Sequence, residues 1–87
     1  MEQQIMLASK LYRARNSVKK LFGADWKKEI EPYTNLIKLA MEKHSIDNEI
    51  KAAMKLIEEY KDMDGADVFT VKILAATVEL IEPTVEE

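Results

Sequence analysis

Apolar side chains recur at spacings of three and four residues through four successive segments, and this period limits what the chain can become more than any other feature. A helix brings such positions onto one face, whereas a strand needs alternation at every second residue. The first stripe is Leu7, Leu11, Ala14, Val18, Leu21 and Phe22, and the second is Trp26, Ile30, Tyr33, Ile37, Ala40, Met41 and His44. Ile46, Ile50, Ala53, Met54, Ile57 and Tyr60 form the third. The fourth segment, Val68 to Glu82, is rich in β-branched residues and has the weakest helix propensity. A single strand there would have no sheet partner elsewhere in the chain, so it too reads as a helix.

The breaks between stripes carry residues that stop or start helices. Gly23 supplies the left-handed conformation that closes the first helix without a Cβ clash. Asp25 can cap the second, accepting free amide hydrogens of its first turn. Pro32 lies inside that helix and cannot donate to the carbonyl of Lys28; because the stripe keeps its phase across it, a kinked helix is favoured over two separate ones. Ser45 or Asp47 caps the third helix, Asp64-Gly65-Ala66-Asp67 is a turn, and Pro83 stops the fourth. These signals predict helices over 2–22, 25–44, 46–63 and 67–82. Short loops leave no room for crossovers, so the expected fold is all-α: residues 1–87 as one compact antiparallel four-helix bundle, its second helix kinked at Pro32. Trp26, Tyr33 and Phe22 head the inward stripes and should be among the more buried residues.

The fourth helix is the least amphipathic. Lys72, Glu79 and Glu82 fall in one narrow charged arc, and apolar residues and threonines occupy most of the rest. It is then either the central helix of the bundle or part of a subunit interface. Leu36 and Leu39, with Pro32, lie off the inward stripe of the second helix and begin to look like a patch. A homodimer that buries Leu74 and Val78 together with the Leu36–Leu39 edge would cover both surfaces at once.

Composition narrows function by exclusion. With 47% hydrophobic and 33% charged residues there is enough apolar surface to fold. The absence of cysteine removes disulfides and thiolate metal sites and suits a reducing, cytoplasmic setting. No apolar run approaches the roughly 18 residues that span a bilayer, and Met1-Glu2-Gln3-Gln4 does not look like the start of a signal peptide, so no membrane role is expected.

Catalysis finds no constellation. The one histidine, His44, sits at the end of the second helix, where a capping or half-buried structural role suits it better than that of a base. No glycine-rich phosphate loop and no His/Glu metal motif occurs. The stretch from Asp62 to Asp67 fails as a calcium loop: counting from Asp62, glycine comes at the fourth position rather than the sixth, and the twelfth residue is Ile73 rather than glutamate. A non-enzyme with no metal and no cofactor is the expectation.

The net charge of −3 hides an asymmetry. Residues 1–28 carry seven Lys or Arg against Glu2 and Asp25, while residues 29–87 carry six against fourteen acids. Either the basic first helix steers a partner, or it packs beside acidic neighbours and the fields cancel. Tyr12, Arg13, Arg15, Asn16, Lys19 and Lys20 are the candidate partner-binding residues. Arginines beside a tyrosine and an asparagine can grip phosphates and stack on a base. The acidic pI of about 5.2 and the lack of a polar recognition helix weigh against nucleic acid, which is kept as the alternative. The leading expectation is a non-catalytic protein-interaction module, an adaptor or inhibitor docking on a larger protein. In style, short, acidic, cysteine-free helical chains resemble accessory proteins of bacteria or phages, including inhibitors of host enzymes; no particular residues carry that resemblance.

Overall fold

A computed structural model describes the backbone of residues 2–84 and the side chains of residues 9–84. The fold is all-α, with helices α1 (Glu2–Phe22), α2 (Trp26–Lys43), α3 (Glu49–Tyr60) and α4 (Ala66–Ile81) and no strand among the described residues. A single 3-10 turn, Gly23–Asp25, joins α1 to α2, and Gly23 adopts the left-handed conformation at φ +59°. Asp25 occupies the capping position of α2, but its side chain accepts no hydrogen bond there. α2 runs unbroken through Pro32.

The junction of α2 and α3 departs from the expected caps. His44 ends α2, and Ser45 takes a left-handed conformation at φ +53°. The Ile46 amide then reaches back to the Met41 carbonyl at 2.8 Å and the Ser45 amide to that of Glu42 at 3.4 Å. This six-to-one and five-to-two pair of bonds closes the helix C-terminus, and Ile46 and Met41 both lie against the core beside it. Because residues 45 and 46 are spent on closing α2, neither Ser45 nor Asp47 caps α3. Asn48 does, its side-chain oxygen accepting from the Lys51 amide at 3.1 Å. Gly65, at φ +81°, precedes α4 with no side-chain cap, and α4 ends at Ile81, ahead of Pro83.

The helices do not close into the expected ring of four. α4 packs against each of the other three, α1 and α2 touch little, and α1 and α3 do not meet among the described residues. Tyr12 meets Glu82 and Phe22 meets Lys72, so α1 lies antiparallel along α4. α2 and α3 cover other parts of α4, making it the enclosed central helix. Ile73, Ala75, Ala76, Thr77 and Val78 are buried in it, and the alanines let neighbouring backbones approach. Thr77 satisfies its hydroxyl within the helix by donating to the Ile73 carbonyl at 2.7 Å. Lys72 and Glu79 of its charged arc are half-buried and reach neighbouring helices, pairing with Glu29 and Arg15.

Val18, Trp26, Ile30, Ile37, Ala52, Ala53 and Leu56 complete the core around α4. Trp26 is 3% exposed, as its place at the head of the second stripe requires. Phe22 and Tyr33 are only half-buried, because each lines a surface depression. Leu21 and Met54 point outward, and Ala52 and Leu56 take the inward positions on α3. Leu7 lies outside the described side chains.

Candidate functional site

An open groove runs between α2, the α3–α4 turn and the start of α4, with a volume of about 570 Å³. Helical spacing builds one wall: Lys28, Pro32 and Leu36 are each a turn apart on α2, with Glu29 and Tyr33 beside them. Tyr60 at the end of α3, Met63 and Asp64 in the turn, and Ala66, Phe69 and Lys72 on α4 form the rest. Phe69 is the floor. Its ring meets Tyr33 edge-on at 5.6 Å between centroids and Tyr60 at 4.9 Å, tilted by 50°. Contacts of this geometry add to rigidity beyond the area they bury. Met63 is 59% exposed at the lip, and a flexible thioether there adapts to varied apolar shapes.

Lys72 marks one end. Its ammonium lies 3.5 Å from the Glu29 carboxylate and over the rings of Phe22 and Tyr33, at 5.0 and 5.5 Å from their centroids. These three contacts fix a long side chain that would otherwise sweep the groove. Beyond it lies a second, smaller depression of about 280 Å³ lined by Val18, Leu21, Phe22, Val68 and Val71, with exposed Leu21 and Val68 on its rim.

The six candidate residues of α1 divide into two groups. Tyr12, Arg15 and Lys19 turn toward their own chain. Arg15 lies 3.5 Å from the Glu79 carboxylate, donates to the Glu82 carbonyl at 2.9 Å and sits 5.2 Å from the Tyr12 ring centroid. The Tyr12 hydroxyl donates to the Glu82 carboxylate, and this hydrogen bond holds its phenol above the usual tyrosine range. Lys19 lies over the Trp26 ring at 5.6 Å. Arg13, Asn16 and Lys20 face outward and are exposed. The fields of α1 and the acidic end of α4 therefore cancel in part, on one flank of the helix.

The four residues assigned to a dimer surface differ in how open they are. Leu36 lines the groove, Leu39 is 62% exposed, and Leu74 is half-buried. Val78 is 3% exposed within the single chain, because the helices around α4 already cover it. It is not free to meet a second copy without unpacking the core.

Sequence reasoning found Pro32 and Leu36 but not Tyr60, Met63 or Phe69 as groove residues. Each of these three sits at a helix end or in a turn, and only the meeting of three segments puts them together. His44 is exposed at the end of α2. No cluster of three His, Cys, Asp or Glu placed to hold a metal ion occurs among the described residues, and no described helix is long and apolar enough to cross a membrane. Compared with known proteins, the chain matches no family model, no curated protein and no solved structure.

Proposed function

We propose that the chain is a non-catalytic protein-interaction module, an adaptor or inhibitor that docks on a larger protein by taking an apolar helix of that partner into the α2–α3–α4 groove. The observation that carries this reading is the lining itself: Pro32, Tyr33, Leu36, Tyr60, Met63 and Phe69 present aromatic and flexible apolar surface at one open site. Aromatic residues and methionine are enriched at protein interfaces, and a groove of this kind suits an amphipathic helix with anchors at i, i+3 or i+4, and i+7. Lys28 rims the α2 wall and Asp64 the opposite turn. The matching helix carries an acid on the side facing α2 and a base on the side facing the turn.

The test is selection from a library of helical peptides, followed by mapping of the bound peptide through backbone amide shifts. Selected peptides are expected to perturb Tyr33, Leu36, Tyr60, Met63 and Phe69. Met63→Glu, at an exposed position, is expected to weaken them by at least about tenfold without altering the fold. Peptides that map elsewhere, or that bind the Met63→Glu variant equally well, would remove the groove from consideration.

A further inference from the structure

A separate surface lies on α1, on the side away from α4. Ser9, Lys10, Arg13, Asn16, Ser17 and Lys20 form one continuous helical face, and all six are exposed. The opposite face holds the buried Leu11, Ala14 and Val18, so the outward direction of this surface is fixed by the core. No aspartate or glutamate occurs between Gln3 and Ala24. Lys10, Arg13 and Lys20 make no ion pair among the described residues, in contrast to Arg15 on the flank. In a chain of net charge −3, an extended face with cations and no acid is a local reversal of sign.

We infer that this face of α1 binds the phosphate backbone of duplex nucleic acid without reading its sequence. Three observations choose that occupant over other polyanions. From Ser9 to Lys20 the face carries no apolar side chain, and the exposed leucine at its margin, Leu21, belongs to the rim of the smaller depression. The face therefore lacks both a central anchor of a protein interface and the row of wedges that an interfacial helix sinks into lipid. Tyr12, the aromatic residue on its flank, is held by Glu82 and covered by Arg15, so it is no platform for unstacked bases of a single strand. What remains is cations interleaved with serine and asparagine, the side chains that contact phosphates and sugars. From Lys10 to Lys20 the helix advances about 15 Å at roughly 1.5 Å per residue, a length over which a duplex presents on the order of nine phosphates. Three of these are neutralised at once. This surface is distinct from the groove, and its test is independent of the peptide selection.

The experiment is fluorescence anisotropy of the full chain with a labelled DNA duplex of mixed sequence. Neutralising three phosphates gives a salt slope of about 2.7, so affinity is expected to fall about fortyfold between about 50 and about 200 mM salt. Replacing Lys10, Arg13 and Lys20 together by glutamate is expected to abolish binding with helical circular dichroism unchanged. Lys38→Glu, Lys51→Glu and Lys55→Glu, an equal change of charge at exposed positions of α2 and α3, is expected to leave most of it. Should the first triple variant fold poorly, the milder Arg13→Gln with Lys20→Gln carries the same expectation in weaker form. No binding at low salt, or equal loss in both triple variants, would overturn the assignment. So would stronger binding to polyglutamate than to the duplex, which would make the occupant an acidic protein.

Discussion

Trp26 shows how far a single residue can be read from sequence. Its position at the head of the second stripe places it inward, and it is nearly fully buried beneath α1, with Lys19 and Lys27 each within 6 Å of its ring centroid at 5.6 and 5.8 Å. Trp26→Ala is expected to cost roughly 3–5 kcal/mol in urea unfolding, combining lost transfer energy with the cavity left behind. Ser45 is the opposite case, since a serine gives no sign that it will adopt a positive φ. The helix closure around it requires that conformation, and a Cβ makes it costly by roughly 1–2 kcal/mol. Ser45→Gly removes the clash but adds freedom to the unfolded chain, so a net gain of up to about 1 kcal/mol is expected from the same unfolding measurement.

At the scale of elements, type and most ends were legible: α1 spans the expected 2–22, α2 and α4 fall within one residue of expectation at each end, and α3 is shorter by three residues at each end. The four periodic segments became four helices, and Gly23, Gly65 and Pro83 lie at or just beyond the breaks between them. The start of α3 was misplaced because Ser45, Asp47 and Asn48 are all good caps, and only the closure of α2 decides among them. On α3 the inward face turned toward Ala52 and Leu56, since small residues let that helix approach α4 closely. The same logic governs α4, where Ala75 and Ala76 are fully buried. Ala76→Leu is expected to destabilise by about 1–3 kcal/mol through overpacking, read as a lower midpoint in thermal unfolding. An unchanged midpoint would show slack between the helices.

For the whole molecule, the apolar character of α4 admitted two explanations from sequence, enclosure or self-association. Its contacts with α1, α2 and α3 supply enclosure. Val78→Asp is accordingly expected to unfold the chain rather than divide a dimer, with loss of helical circular dichroism at every concentration. The unaltered protein is expected to melt at one temperature over a hundredfold dilution, since a melting point that rises with concentration requires association. The groove could not be read in advance because its residues come from three segments whose meeting is a property of the assembled fold.

The far end of α4 has a practical consequence. Thr84 is fastened to that end, its amide and hydroxyl donating to the Glu79 carboxylate at 2.7 and 3.0 Å while Lys27 donates to its carbonyl at 3.1 Å. From Ala66, on the groove, to Ile81 the helix advances about 22 Å. Pro83 and Thr84 therefore lie at the opposite end of the central helix from the groove. Immobilised on a sensor chip or bead through a single cysteine placed at exposed Pro83 (Pro83→Cys), the protein would present the groove to solution, whereas coupling through surface lysines would modify Lys28 at its rim and Lys10 and Lys20 on α1.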